Sequence, residues 1–226
     1  MPKFKHPNDR YLDTKYTVDR VKKEINSGIR LLNQIKVPIV SFFGSHKTKP
    51  TSPYYKQAMD AAYMLGRCGY AIETGGGPGI MKAANQGATK AHAPSIGIMA
   101  GLIKTEKVKD EIFTKHLSYH FLFVRRFVLS IKSDALIFFP GGYGTLNELF
   151  EYIVLIQLHF INKVPIILVG KKYWAGLFEW LKDQPGRKDY FIKHEHDLNL
   201  VQFCDTTEEI VSLIEKECAY LKPKSK

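Results

Sequence analysis

Short, continuous apolar runs alternate along this chain with longer stretches whose apolar positions recur every three or four residues. Residues 17–35 place Val18, Val21, Ile25, Ile29 and Leu32 at helical spacing. "VPIVSFFG" then reads as a buried strand running into a glycine, and "HKTKPTSP" as a loop. "YYKQAMDAAYMLGRCG" predicts a helix with Gly69 at its C-terminal cap. "YAIETGGGPG" predicts a second strand ending in a glycine loop, followed by the helix "IMKAANQGATKA" and a short third strand, "SIGIM". Residues 100–120 show no clear period and are expected to be a loop with partial structure. A helix over about 122–132 leads into the strand "DALIFF", the run "PGGYGT" and a long helix from about 145 to 161. "VPIILVG", "YWAGLFEWLKD", "LNLVQFC" and "TTEEIVSLIEKECAYL" give strand, helix, strand and helix.

Apolar strands alternating with helices predict an α/β fold: a Rossmann-like, doubly wound parallel sheet with helices on both faces. Such sheets take ligands at the carboxyl ends of their strands, where the strand order reverses. Both glycine-rich loops fall at strand carboxyl ends. With no repeat and no linker, residues 1–226 are expected to form a single nucleotide-binding domain, with basic, loose termini over about 1–15 and 222–226.

Composition narrows the picture in three ways. The apolar fraction of 45% supports a core without metal or disulfide staples. Three cysteines without C-x-x-C spacing speak against a disulfide framework and for a reducing, cytoplasmic setting. No apolar leader is visible at the N-terminus, and the most apolar stretch, "LFEYIVLIQLHFI", is too short to span a bilayer, so no membrane partner is expected. The net charge of +11 favours anionic ligands. The basic residues are spread rather than striped and no nucleic-acid motif is legible, so nucleic acid is not expected as the partner.

"TGGGPGIM" (74–81) and "PGGYGT" (140–145) share one physical logic. Glycine lets backbone N–H groups approach an anion, and the following helix N-terminus adds unpaired donors. Neither loop is a dinucleotide G-x-G-x-x-G in its usual place, and no G-x-x-x-x-G-K-[ST] loop is present. Phosphate binding by a ligand smaller than a dinucleotide is one reading, and a tight turn without ligand is the other. Glu148 stands three residues after Thr145, the spacing of a capping box, so a helix cap competes with a chemical role. Arg125, taken alone beside Arg126, reads more readily as a solvated helix residue than as a site residue. His194 and His196 form a bare H-x-H, too weak to argue a metal, and none is expected.

Four segments, "GSHKTKPTSPYY", "ETGGGPGIMKAAN", "RRFVLSIKSDALIFFPGGYGTLNELFE" and "YWAGLFEWL", together resemble the LOG family, once labelled lysine decarboxylases. The likeness covers roughly residues 37–182 and is nearest the longer bacterial members. It implies a phosphoribohydrolase that cleaves the N-glycosidic bond of a purine nucleoside 5′-monophosphate, with adenine or an N6-modified adenine as the base and ribose 5-phosphate as the other product. No cofactor is implied. Carried over residue by residue, Arg125 and Glu148 are the catalytic pair. Gly44, Ser45, Gly75, Gly76, Gly77, Pro78, Gly79, Met81, Arg126, Gly141, Gly142, Gly144 and Thr145 are expected to bind the nucleotide, with the "PGGYGT" loop on its phosphate.

The chain departs from the family at Lys82, where "GIMEAAN" is usual. That exchange puts a cation near a helix start and brings the ribose contact, or activity itself, into question. A non-catalytic nucleotide or molybdenum-cofactor carrier of the same fold is therefore the competing reading. A pyridoxal-phosphate decarboxylase is not supported, because no Schiff-base lysine with an acidic ring-nitrogen partner is legible. Residues 149–161 are apolar on nearly every side, which predicts a homodimer or higher homo-oligomer through helix 145–161.

Overall fold

A computed structural model describes residues 9–101, 110–183 and 199–222. Helix α1 (Asp9–Leu12) and α2 (Thr14–Asn33) open the described chain, so helix already occupies much of the stretch expected to be loose. Asp13 caps α2 by accepting from the Tyr16 amide at 2.9 Å. At the other end, Lys222 is tied to Glu215 at 2.6 Å.

Seven strands form one all-parallel sheet. They are β1 (Ile39–Phe43), β2 (Ala71–Thr74), β3 (Ser95–Ala100), β4 (Lys115–Tyr119), β5 (Ala135–Phe138), β6 (Ile166–Val169) and β7 (Val201–Cys204). The spatial order is β4-β3-β2-β1-β5-β6-β7. The connecting helices are α3 (Pro53–Arg67), α4 (Ile80–Lys90), α5 (Leu122–Ser130), α6 (Tyr143–Gln157), α7 (Lys171–Asp183) and α8 (Thr207–Cys218). Gly69, at φ +92°, turns the chain after α3 toward β2, as its sequence position predicts.

Each face of the sheet carries its own apolar layer. Ile39, Phe43, Ala71, Ile98 and Phe138 pack under α2, α5, α6 and α7, with the Phe43 and Phe138 rings stacked 4.6 Å apart. Val40, Phe42, Ile72 and Ile137 pack under α3, α4 and α8. Alanines 58, 61, 62, 83, 84 and 88, all fully buried, let α3 and α4 approach closely. These opposed layers are what the continuous apolar strands require.

Three expectations change. Residues 115–119 form the edge strand β4 rather than loop, paired along β3 from Ile96↔Lys115 to Ala100↔Tyr119. Helix α6 runs 143–157 rather than 145–161, with Leu158 as its C-cap. Its apolar circumference is also mostly covered within the chain. Leu149, Tyr152 and Ile156 are buried, and Phe150, Ile153 and Ile161 pack against the same layer. Val154, Leu158 and Phe160 stay exposed, as do Leu122, Phe123, Phe127 and Ile131 of the α5 segment.

Candidate functional site

Strand order reverses at β1, which has β2 on one side and β5 on the other. The loops leaving those three strands meet there through backbone bonds. The Ser45 amide donates to the Pro140 carbonyl at 3.1 Å, and the Ile80 amide donates to the Ser45 carbonyl at 3.2 Å. A cleft of about 980 Å³ opens above them, bounded also by the ends of β3 and β4 and by α5 and α6.

The β5–α6 loop supplies one wall. Helix α6 starts at Tyr143 with Gly142 as its N-cap, and no side chain caps it. The first backbone bond back to the cap is Leu146 N to Gly142 O, 3.0 Å. The amides of its first turn therefore face the cleft without intrahelical partners, at the positive end of the helix dipole. Gly142, Gly144 and Thr145 line the cleft. A Cβ added at Gly142 or Gly144 would meet nothing within 4 Å, so the protein's own packing does not demand glycine there. Gly141 lies behind the wall: its Cβ would strike Thr145, and its carbonyl accepts from Tyr173 Oη at 2.5 Å.

Glu148 is the sixth residue of α6, and Thr145 is the third rather than the cap. The T-x-x-E spacing is thus not a capping box. Glu148 instead faces Arg125 of α5, with Oε1 3.3 Å from Nη1. Arg125 is fixed from two further sides. Its Nε donates to the Ile98 carbonyl of β3, 2.7 Å, and Nη2 occupies the space a Cβ at Gly75 would need. Both side chains are only 13% and 17% exposed, so the pair is a fixed part of the cleft rather than a solvated surface contact. Burial raises the Glu148 carboxyl above its ordinary range, and Arg125 holds that rise back. Arg126 lines the cleft and pairs with Glu151 at 2.8 Å, a second link between α5 and α6.

The β2–α4 loop is built differently. Thr74 and Asn85 join side chains at 2.5 Å; Asn85 also donates to Ser95 at 2.9 Å, and Thr74 accepts from the Gly76 amide at 2.9 Å. This network ties β2, the loop, α4 and β3 together. Gly76 (φ +69°) and Gly79 (φ +67°) take a backbone conformation that side chains with a Cβ resist. Gly75, Gly76, Gly77 and Met81 line the cleft together with Gly44 and Ser45, whereas Pro78 and Gly79 do not. Lys82, the third residue of α4, is half-buried and is not among the residues that line the cleft.

Further lining residues carried no sequence signal of their own. His46 and Lys47 follow Gly44-Ser45. Met99, Ala100 and Gly101 end β3, and His116 and Ser118 come from the unexpected strand β4. Leu122, Tyr143 and Asn147 sit within predicted helices or loops, one residue or a few from positions that had been singled out. No cluster of metal-ligating side chains occurs among the described residues, and His194 and His196 lie outside them. Among the described residues no helix is long and apolar enough to cross a membrane.

Sheet and cleft define a Rossmann-like α/β protein with a bare helix N-terminus and an Arg–Glu pair at its strand-order reversal. The chain belongs to the LOG family: the family described as "Possible lysine decarboxylase" matches residues 81–214. A "Probable cytokinin riboside 5′-monophosphate phosphoribohydrolase" of Oryza sativa subsp. japonica is 27% identical over 180 residues, 79% of this chain and 83% of that protein. One of Arabidopsis thaliana with the same description is 32% identical over 140 residues, 62% of this chain and 69% of the other. Among solved structures, the molybdenum cofactor binding protein of Rippkaea orientalis shares the fold with a TM-score of 0.62 at 23% identity, covering 80% of this chain and 98% of that one. The molybdenum cofactor carrier protein of Chlamydomonas reinhardtii does so with a TM-score of 0.60 at 18% identity, covering 81% and 99%.

Proposed function

We propose that the protein hydrolyses the N-glycosidic bond of a purine nucleoside 5′-monophosphate, the base being adenine or an N6-modified adenine. The observation that carries this reading is the part-buried Arg125–Glu148 pair set beside an uncapped helix N-terminus whose glycines leave open space. Three unpaired amides and the positive end of α6 suit a phosphate dianion. Thr145, in the same turn, can add its hydroxyl. Cleavage at C1′ builds positive charge on the ribose, as in glycoside hydrolysis. Glu148 meets that charge or orients the attacking water, and Arg125, fixed by Ile98, holds the carboxylate in place. Arginine stays protonated, so its role is placement rather than proton donation. Relatives named as cytokinin riboside 5′-monophosphate phosphoribohydrolases support the same chemistry.

Lysine decarboxylation does not suit the cleft. Among the described residues its one lining lysine, Lys47, is exposed, and its one lining carboxyl, Glu148, is already engaged by Arg125. The competing reading is a carrier that binds a nucleotide or a molybdenum cofactor without turnover, supported by the shared fold of the two cofactor-binding proteins. An intact Arg–Glu pair favours the hydrolase. Incubation with AMP, N6-modified AMP and the corresponding nucleosides decides between them. Free base is expected from the monophosphates and at least tenfold more slowly from the nucleosides, which lose charge-assisted bonds to the loop. Tight binding with no base released selects the carrier.

The partner in solution is proposed to be a second copy of the chain. Leu122, Phe123, Phe127 and Ile131 join Val154, Leu158 and Phe160 as exposed apolar side chains on α5, α6 and the residues just after each, the two helices being linked by the Arg126–Glu151 pair. Leu122 also lines the cleft, so a copy seated there would border the site. Light scattering is expected to give at least twice the 25.8 kDa chain mass, and an active monomer would exclude the dimer.

A further inference from the structure

Behind the Arg125–Glu148 pair lies a second acid with no part in that chemistry. Glu73, the third residue of β2, is 1% exposed. It pairs in register with Ser41 of β1, whose hydroxyl reaches Oε2 at 2.8 Å. Ser133 stands 2.7 Å from Ser41, 3.5 Å from the same carboxyl oxygen and 3.2 Å from Tyr152 Oη. Tyr152 in turn donates to the Leu129 carbonyl at 2.6 Å. The other carboxyl oxygen, Oε1, is buried with no hydrogen-bond partner among the described residues.

This hydroxyl chain has two self-consistent settings. With Glu73 ionised, Ser133 donates to Ser41 and Ser41 donates to Glu73. With Glu73 protonated, the acid donates to Ser41, Ser41 to Ser133, and Ser133 to the Leu129 carbonyl at 2.7 Å. Every proton has an acceptor in both, so the two protonation states of the acid are held without a side chain changing place. An unpaired buried carboxylate oxygen disfavours the ionised setting.

Charged and titratable groups face Glu73 from several elements. Arg125 of α5 and Lys132 just after it favour its ionisation. Tyr152 of α6 feels Glu73 together with Glu148 and Glu151, and Tyr119 of β4 feels it together with Glu24 of α2. Burial outweighs both cations and pushes the Glu73 carboxyl up to about 8.

We propose that Glu73 is a positioning residue that sets how much of the Arg125 charge reaches the cleft, and hence how tightly the cleft holds a phosphate monoester. The proposal rests on reading the cleft as a phosphate-monoester site. Neutral Glu73 leaves Arg125 balanced by Glu148 alone. Ionising Glu73 adds one negative charge near Arg125 and Lys132 and so lowers the positive potential that Arg125 presents to the cleft. Anion binding must then favour the protonated acid by the same factor that protonation favours the anion. The sign follows from the raised folded-state value: affinity is full below it and falls as pH rises through about 8. Stability moves in the same direction. The contribution of Glu73 is fully present below the ordinary carboxylate range and is lost between there and about pH 8.

The test is calorimetric titration with ribose 5-phosphate from pH 7 to 9.5 at constant ionic strength. Wild-type affinity is expected to fall about tenfold, the size of a one-unit coupling, while Glu73→Gln stays flat within about twofold. A purely structural Glu73 would leave the two pH slopes identical, and that result, or no binding of ribose 5-phosphate at all, overturns the proposal. Should the Gln variant not fold, carboxyl carbon NMR of the wild type serves instead. One glutamate titrating near pH 8, and higher with ribose 5-phosphate bound, is expected; every glutamate titrating below about pH 6 overturns it. Base release from AMP is scored separately. Its absence alongside a pH slope confined to wild type removes the hydrolase reading and leaves the Glu73 assignment intact.

Discussion

The two glycine loops look alike in sequence and differ in why they are glycine. In the β2–α4 loop the protein itself leaves no room: a Cβ at Gly75 would collide with Arg125, at Gly76 with Met99, and at Gly79 with the Ser45 carbonyl. Gly76 and Gly79 also need positive φ. In the β5–α6 loop Gly142 and Gly144 face space that no atom of the chain fills. Gly75, Gly76 and Gly79 of the first loop, and Gly141 of the second, let the scaffold close on itself, whereas Gly142 and Gly144 leave open space beside bare amides. Glycine content alone marks both; only the surroundings assign the cause.

The sharpest way to test the second loop is Glu148→Gln at the end of its first helical turns. Base release is expected to drop at least about a thousandfold, roughly 4 kcal/mol of barrier, while ribose 5-phosphate binds within about threefold of wild type. Since α6 begins at Tyr143 and Glu148 is not its cap, stability should not move with activity. Retained turnover in a release assay would return Glu148 to a structural role.

The glycines themselves come next and should split cleanly. Gly79→Ala combines strained backbone with a clash on Ser45, and a loss of roughly 2–4 kcal/mol is expected in denaturant unfolding. Gly144→Ala, at the second position of α6, is expected to leave stability equal or up to about 1 kcal/mol higher. Its affinity for ribose 5-phosphate should nonetheless fall about tenfold, the size of one lost charge-assisted bond. Equal destabilisation by both substitutions would erase the distinction between the loops.

The smallest effect is expected at Lys82→Glu. The side chain is off the cleft wall but in the first turn of α4, so the dipole predicts about 0.3–1 kcal/mol of added stability. Turnover and substrate preference should stay within about twofold of wild type. A kinetic change beyond that would bring the first loop into the ligand site.

The strands and helices that carry strong periods were legible in the sequence, along with the place of both loops. Strand β4 was not, because "KHLSY" is a short edge with alternating half-exposed positions and a lysine at its start. The end of α6 was hidden for the opposite reason: apolar residues continue through Leu158, Phe160 and Ile161 after the helix stops, with no glycine or proline to mark the end. A two-residue error at its start mattered more, since it made Thr145 look like a cap and Glu148 like its partner. Glu73 left a signal that went unread: an acid inside a strand of a sheet covered on both faces is uncommon unless it is paired or functional. The cleft residues His116 and Ser118 could not be placed without β4, and Arg125 is joined to Glu148 only by packing of α5 on α6.

Ser45 holds the loops of β1, β2 and β5 together through its amide and carbonyl alone. Main-chain ties of this kind are indifferent to the side chains that follow, and His46 and Lys47 project from that knot into the cleft. Substitution at 46 and 47 is therefore expected to change the cleft wall without loosening the frame that holds the Arg125–Glu148 pair. In evolutionary terms the site has a fixed chassis and an exchangeable selector, and divergence in ligand preference within this fold has a cheap place to begin.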